Sequence, residues 1–293
     1  MFDLFLPTLS QGLLWALMAL GVYLTYRVLD IADLTVEGSF PLGAAVAASL
    51  LVEGFSPLTA ILTAAVAGGL AGVITGILHT KLKIPALLAG ILTMIALYSV
   101  NLRVMGKANL SLLRIDTVFS FIREFGLNNA QSVFVIGLVS TFLFGALMYW
   151  FFGTEIGAAI RATGYNQQMI RAQGIDTNGT IIIGLLISNA LVAVSGALIA
   201  QSNGFADVGM GTGTIVIGLA SVIIGEVLFG TRSFRNCLIS VVLGSIVYRF
   251  VIALVLQLGM PPNDLKLFTS VLVAFALSMP LFKKNIDGRR AVK

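Results

Sequence analysis

Residues 57–79 read PLTAILTAAVAGGLAGVITGILH, a stretch without Asp, Glu, Lys or Arg. A helix needs about 20 consecutive apolar residues to cross a hydrocarbon core of roughly 30 Å. The small residues at 66–72 also suit close packing between membrane helices. This stretch therefore predicts a transmembrane helix.

Similar apolar stretches recur along the whole chain of 293 residues, of which 58% are hydrophobic and only 11% are charged. An ordinary soluble domain has about 25% charged residues. Because this chain lacks the polar side chains to cover its surface, most of it is expected to lie in lipid. The composition predicts an all-α, polytopic membrane helix bundle formed by a single domain, 1–293. The nine predicted spans are 4–26, 34–52, 57–79, 85–105, 131–152, 179–201, 211–230, 236–258 and 265–282.

Two of these spans begin in polar or glycine-rich sequence. The second follows Asp33 and includes Glu37, and the seventh includes residues 209–213. Each is therefore a candidate for a broken or re-entrant helix. Residues 38–45 also resemble residues 213–220, at a constant offset of 175 residues. The two segments would cross the membrane in opposite directions, as the inverted repeats of transporters do.

The basic residues predict the orientation of the bundle. The formal charge is +5, but the Lys and Arg residues are scattered through short loops and form no dense stripe, which argues against nucleic-acid binding. Basic loops stay on the cytoplasmic side. Most of these residues fall on one side of the predicted spans, the side of Arg161, Arg171 and the C-terminal cluster after residue 282. This distribution predicts that the N-terminus is outside and the C-terminus inside.

Two long segments are predicted outside the bilayer. Residues 106–130 form an amphipathic extracytoplasmic loop suited to lying on the membrane surface. Residues 153–178, on the cytoplasmic side, are predicted to form a helix that ends near Thr163, a left-handed turn at Gly164, and a second helix. Asn166 is the expected N-cap of that second helix, which would end at Gly174. We call residues 153–178 the elbow.

The elbow resembles the cytoplasmic loop of permeases in the branched-chain amino acid and ribose class of ABC importers. The shared pattern is Gly-x-Ala-x-Arg-Ala-x-Gly-x-Asn, followed by Ala-x-x-x-Gly-Ile. It can be read here at Gly157, Ala159, Arg161, Ala162, Gly164 and Asn166, and then at Arg171, Ala172, Gly174 and Ile175. The likeness covers most of the chain, including residues 33–40 and 84–87, and is nearest to a subgroup described as uncharacterised or as tryptophan/tyrosine transport permeases.

This resemblance implies a translocation subunit in a bacterial cytoplasmic membrane, with the elbow seated in a groove of a separate ATPase. The coupling residues it implies are Glu155, Gly157, Ala158, Arg161, Ala162, Gly164, Asn166, Arg171 and Gly174. The chain has no Gly-x-x-x-x-Gly-Lys-Ser/Thr phosphate loop. We therefore expect no cofactor in this chain, and ATP and Mg²⁺ on the partner. Other expected partners are an extracytoplasmic binding protein, a second permease copy and membrane lipid, and the expected substrate is an amino acid, most plausibly an aromatic one.

A secondary transporter or channel remains the main alternative, since it would share the composition and the repeat. An enzyme is disfavoured, because the chain has one histidine, His79, and one cysteine, Cys237, and no motif for a catalytic or metal site. Polar residues at membrane depth are costly and mark functional positions. The candidates for the translocation pathway are Glu37, Ser39 and Asn189. Glu226 and Arg249 are candidates for an ion pair between spans.

Overall fold

The computed structural model describes residues 2–123, 126–261, 264–265, 267–271, 273–274 and 278. Helices dominate this part of the chain. They are α1 (Phe2–Tyr23), α2 (Val36–Val52), α3 (Pro57–Thr80), α4 (Ala86–Met105), α5 (Val118–Arg123), α6 (Asn129–Phe152), α7 (Glu155–Tyr165), α8 (Gln167–Ala172), α9 (Thr177–Asn203), α10 (Thr214–Phe229) and α11 (Phe234–Gln257). A π-helical turn, Leu24–Val28, continues α1, and a 3-10 turn, Val208–Gly211, precedes α10.

The predicted helix bundle is confirmed. Seven helical segments are long and apolar enough to cross a membrane, and α2, with 17 residues, is a shorter apolar helix. All of them coincide with predicted spans. Half of the ninth prediction, 265–282, lies outside the described residues.

Helix α3 shows how a membrane helix of this chain divides its surface. Its large side chains recur about every fourth residue on one exposed face, at Leu58, Leu62, Val66, Leu70 and Ile74. Glycines lie on the opposite face, and a Cβ atom at Gly72 would come within 2.2 Å of the Leu185 carbonyl oxygen in α9. Only glycine permits this approach, so α3 packs backbone to backbone against α9 and presents its leucines to lipid.

The two ends of the bundle are marked by different structures. The π-helical turn after α1 packs against the elbow, and α6 leads into it. At the other end, two short strands, β1 (Asn109–Ser111) and β2 (Phe205–Asp207), pair antiparallel. This ribbon was not predicted. Because β1 follows α4 and β2 follows α9, the ribbon places the ends of these two helices on the same side of the bundle. This agrees with the alternating directions of the predicted spans.

The predicted loop 106–130 is partly structured. Leu110, Leu112 and Phe119 are buried against the bundle, whereas Leu113 and Phe121 are exposed. The amphipathic pattern therefore separates a face that covers helix ends from a face that points away from the protein. Residues 124–125 of this loop lie outside the described residues.

Candidate functional site

Two helices of 17 and 16 residues, shorter than the other spans, begin inside the bundle, and we call them half-helices. Helix α2 begins only at Val36, after a non-helical segment that follows α1, and α10 begins at Thr214, after a glycine in the left-handed conformation, Gly213, with φ +82°. The two segments of the predicted repeat, 38–45 and 213–220, lie at the starts of these two helices. Helix α2 runs toward the β-ribbon end and α10 toward the elbow end, so the predicted opposite directions are seen.

The meeting point lies near the middle of the bundle. Ser39, in the first turn of α2, donates a hydrogen bond of 2.7 Å to Oδ1 of Asn189. At 1.5 Å per residue, Asn189 is about 18 Å from the start of α9 and about 21 Å from its end. The N-termini of two half-helices at mid-depth are a feature of transporter sites, because their partial positive charges face the pathway.

Glu37 joins the two half-helices directly. The backbone N–H of Gly213 donates a 3.0 Å hydrogen bond to Oε1 of Glu37. A Cβ atom at Gly211 would lie 2.0 Å from the carbonyl oxygen of Glu37, so this contact also requires glycine. The Glu37 carboxylate therefore lies at the positive end of α10, where a negative charge is stabilised.

A cavity of about 430 Å³ opens beside this junction. Its lining residues are Glu37, Gly38, Pro41, Met94, Ile95, Tyr98, Ser99, Asn101, Val208, Gly209 and Thr212. Asn101 is 1% exposed and donates to the Gly38 carbonyl oxygen at 3.2 Å. Its own Oδ1 atom has no hydrogen-bond partner among the described residues. The cavity thus combines apolar and aromatic walls with Glu37 and with Asn101, whose unpaired amide oxygen is buried.

The other two pathway candidates, Ser39 and Asn189, lie next to this cavity in a buried polar network. Asn189 Nδ2 donates to Asp33 Oδ2 at 2.8 Å, and Asp33 Oδ1 accepts from the Thr35 backbone N–H at 2.9 Å. Ser39 and Asn189 are both fully buried. The structure therefore brings all three candidates together but places only Glu37 in the cavity wall.

We expect Asn189→Leu to destabilise the protein. The leucine would remove the donor to Asp33 Oδ2 and the acceptor of the Ser39 hydroxyl, and a buried polar atom left unsatisfied costs about 1–3 kcal/mol. The yield of folded protein after detergent extraction and its thermal midpoint should both fall. Ser202→Ala, a milder polar change near the other end of α9, is the control, and an unchanged midpoint for Asn189→Leu would contradict this account.

The elbow has the predicted helix, turn, helix form. Thr154 caps α7 by accepting from the Gly157 N–H, and Asn166 caps α8 by accepting from the Met169 N–H at 3.0 Å. The predicted N-cap at Asn166 is therefore confirmed. Gly174 has φ +83° and follows the end of α8, as a C-terminal glycine should.

The conformation predicted for Gly164 is wrong. Gly164 lies inside α7, which continues to Tyr165, and the chain bends at Asn166 with φ −156° and ψ 96°. Glycine is required here for another reason: a Cβ atom at position 164 would lie 1.9 Å from the carbonyl oxygen of Val28 in the π-helical turn. Gly164 is thus a contact point between the elbow and the end of α1.

Other predicted elbow residues also face the membrane helices of this chain. A Cβ atom at Gly157 would lie 2.3 Å from the Phe151 carbonyl oxygen at the end of α6. Arg171 Nε donates to Thr177 Oγ1 at 2.6 Å, which ties α8 to the start of α9. These contacts hold the elbow in a defined position against the bundle.

The outer surface of the elbow contains the remaining predicted residues and two that sequence reasoning missed. Glu155, Ala158, Arg161 and Asn166 are exposed, and Ala162 is partly buried. Tyr165 is 91% exposed and Met169 is 49% exposed. Large apolar side chains so exposed outside the spans indicate a binding surface. The sequence feature that could have identified them is an aromatic residue and a methionine on either side of Asn166, in a segment predicted to lie outside the membrane.

The ion pair expected between Glu226 and Arg249 is not formed. Arg27 Nε instead donates to Glu226 Oε1 at 2.8 Å, which links the π-helical turn to α10. Arg249 lies over the ring of Trp15, 4.0 Å from its centroid. The reason is geometric: Arg27, at the end of α1, reaches Glu226 near the end of α10, whereas an aromatic face neighbours Arg249.

Comparisons with known proteins agree with this architecture. Residues 4–277 match the family model described as the permease component of branched-chain amino acid transport systems. The chain is 44% identical over 285 residues to a tyrosine transport system permease protein of Clostridioides difficile, covering 96% of this chain and 94% of that protein. It is 33% identical over 280 residues to an uncharacterised protein of Rickettsia prowazekii, covering 94% and 97%. It is 27% identical over 190 residues to the ribose import permease of Escherichia coli, covering 64% and 58%. No solved structure matches significantly.

Proposed function

Because the chain belongs to the family of branched-chain amino acid transport system permease components, we propose that it passes an amino acid through the α2–α10 junction, driven by an ATPase that docks on the elbow. The chain is a multi-pass protein of the bacterial inner membrane and the permease subunit of an ABC importer. It is a transport subunit rather than an enzyme. The route, the substrate and the docking surface are the parts that we propose.

The observation that carries the proposed route is the cavity at the junction of the half-helices. Glu37 and Asn101 line it, and the Glu37 carboxylate and the buried, unpaired Oδ1 atom of Asn101 are both hydrogen-bond acceptors. An ammonium group needs acceptors of this kind. The positive ends of α2 and α10 lie at the same point and favour a carboxylate. A zwitterionic amino acid presents both groups, and the wall at Tyr98 and Met94 suits an apolar or aromatic side chain.

The name of one relative supports an aromatic substrate. The Clostridioides difficile protein is described as a permease of tyrosine transport, and the ribose permease shares less of the chain. We therefore propose tyrosine or a similar aromatic amino acid. Selection would belong largely to an extracytoplasmic binding protein, with two permease copies forming the channel and two ATPase subunits supplying the energy.

We expect Glu37→Gln to lower tyrosine uptake about tenfold or more. A hydrogen bond to a charged group contributes about 1.5–3 kcal/mol, and 1.4 kcal/mol is a factor of ten. The measurement is uptake of radiolabelled tyrosine into proteoliposomes that contain the permease and its ATPase, with the binding protein outside. Glu53→Gln, an exposed carboxylate just after the same helix, is the matched control.

The same vesicles discriminate between the two classes of transporter. Uptake that requires ATP on the ATPase side supports the importer, and uptake driven by an ion gradient without ATP would favour a secondary transporter. If Glu37→Gln and Glu53→Gln transported equally well, the junction would not be the route. If the binding protein bound a sugar and no amino acid, the proposal of an amino acid substrate would be refuted.

A further inference from the structure

A second cavity lies at the elbow end of the bundle, where α6, α7 and α11 meet. It has a volume of about 660 Å³, and its lining residues are Tyr149, Trp150, Phe152, Gly153, Thr154, Arg161, Ser233, Phe234 and Arg235. Two of these are cationic and none is acidic. Thr154 and Ser233 are the N-cap residues of α7 and α11, so the positive ends of two helices converge on this cavity. The cavity is therefore suited to an anion.

An apolar groove continues from this cavity along the membrane face. It has a volume of about 430 Å³ and runs between α1, α6 and α11. Tyr149 and Arg235 line both spaces, so they are contiguous. Helix α6 contributes Phe142, which is 76% exposed, and Gly145, whose missing side chain faces open space. The groove is bordered by aliphatic and aromatic side chains, and it is open to the surrounding lipid.

Among the described residues, no acidic side chain pairs with the cationic groups of this crevice. The guanidinium of Arg161 lies 5.3 Å from the centroid of the Phe234 ring, which directs it toward α11. The ion pair found among the described residues joins Arg27 and Glu226, and neither Arg161 nor Arg235 takes part in it. Two arginines at one site are thus unpaired with any acidic side chain that the structure describes, and Arg is the side chain best matched to phosphate.

The crevice also has the aromatic residues typical of a membrane interface. Tyr149 and Trp150 are 54% and 69% exposed at the end of α6. Tyrosine and tryptophan are enriched where headgroups meet the acyl region. The polar cavity therefore lies at headgroup level, and the apolar groove extends from it into the acyl layer.

We propose that this crevice binds one anionic phospholipid. Its phosphate lies between Arg161 and Arg235 at the start of α11, and one acyl chain lies in the groove beside Gly145. Basic pockets between membrane helices on the cytoplasmic side are suited to such headgroups. The segment 279–293 does not complement the cavity, because it carries Lys283, Lys284, Arg289, Arg290 and Lys293 against Asp287 alone.

The proposal can be tested by quenching of Trp150. The chain has two tryptophans, so Trp15→Phe leaves Trp150 as the single reporter. The full-length permease is reconstituted into phosphatidylcholine vesicles with increasing fractions of phosphatidylglycerol or phosphatidylcholine brominated on the acyl chain. We expect brominated phosphatidylglycerol to quench Trp150 at a lower fraction than brominated phosphatidylcholine. Native mass spectrometry of the unmodified protein, with the same two lipids, gives an independent count of retained molecules.

Each lining arginine should contribute to this preference. Arg161→Gln and Arg235→Gln should each reduce it about fivefold, since one arginine near an anionic headgroup contributes about 1 kcal/mol. Arg232→Gln, an exposed neighbour outside the cavity lining, should leave it within about twofold. Gly145→Phe places a side chain in the groove, where an added Cβ atom meets nothing within 4 Å, and should reduce quenching by both lipids, whereas Leu70→Phe on α3 should not.

Four results would overturn the proposal. Equal quenching by the two lipids would show that the site does not select an anionic headgroup. A preference that survives the Arg161→Gln, Arg235→Gln double variant would place the selectivity elsewhere. Absence of quenching by either lipid would show that protein, either a second copy or this chain's own C-terminal segment, covers the crevice. If excess inorganic phosphate displaced the bound phosphatidylglycerol from the permease, the cavity would be a site for free anions instead. The readout is lipid binding, so it does not depend on the proposed transport route.

Discussion

Gly164→Val is expected to abolish ATP-driven uptake while the permease remains inserted in the membrane. Any side chain at this position begins with a Cβ atom 1.9 Å from the Val28 carbonyl oxygen, so α7 must move away from the π-helical turn. Overpacking of this kind costs about 1–3 kcal/mol. At about 2 kcal/mol, the coupled position of the elbow would be populated roughly 30-fold less. The measurement is ATP-dependent uptake in proteoliposomes, normalised to inserted protein.

The expected effect is large because Gly164 lies on a continuous set of contacts. The elbow packs against Val28 through Gly164, and the adjacent Arg27 donates a hydrogen bond to Glu226 in α10. At its other end α10 donates a hydrogen bond from Gly213 to Glu37 in the cavity wall. A displacement of the elbow can therefore reach the junction of the half-helices through packed elements. The uptake measurement tests whether these contacts transmit the displacement.

The control is Ala96→Val, which adds the same side chain on the lipid-exposed face of α4. It should transport normally. We expect Gly164→Val to retain the ATPase on co-purification, because the outer surface of the elbow is unchanged. Normal uptake by Gly164→Val would refute the coupling role of this contact, and loss of membrane insertion would show that the residue serves folding instead.

The helix bundle was predictable because lipid imposes a simple requirement on the sequence. Every span must satisfy its own backbone and present an apolar surface, so spans can be recognised from local composition. The Asn166 cap was predictable for a similar reason, since capping depends on a few adjacent residues. Features that depend only on neighbouring residues were therefore predicted correctly from the sequence.

Features that depend on distant contacts were missed or misassigned. A glycine permits both a positive φ and a close approach, and the sequence of the elbow could not show that Gly164 serves the second purpose. The pairing of Asn109 with Asp207 joins three-residue strands far apart in the chain, too short to give a periodic pattern. Arg249 and Glu226 were considered as partners on composition, yet Arg27 is the residue that reaches Glu226.

The candidate site was recovered only in part. Glu37 was selected because a charged side chain at membrane depth is energetically costly and marks a functional position. In the structure it does line the cavity. Ser39 and Asn189 were selected on the same ground, but they are fully buried and bonded to each other. Asn101 differs from Asn189 only in its surroundings, where one oxygen lacks a partner among the described residues. That difference depends on side chains from other helices and could not be deduced from one span.

The double variant Tyr165→Ala, Met169→Ala is expected to weaken ATPase binding about 30-fold or more. The exposed Tyr165 ring and the Met169 side chain lie on either side of the Asn166 turn, at the tip of an elbow that is fixed against the bundle. Interfaces concentrate their energy in a few such anchors, and an alanine at one of them costs about 2 kcal/mol or more. The measurement is the dissociation constant of the purified ATPase for permease in nanodiscs.

The choice of these two residues rests on a distinction within the elbow. Gly157, Gly164 and Arg171 face the permease, so their loss would misplace the elbow and affect transport through its position. Tyr165 is almost fully exposed and Met169 is half exposed, so their removal should lower ATPase affinity with a much smaller effect on permease stability. Leu113→Ala, an exposed apolar side chain at the opposite end of the bundle, is the matched control. Unchanged ATPase affinity in the double variant would exclude the elbow tip as the docking surface and leave the polar outer residues, Glu155 and Arg161, as the next positions to test.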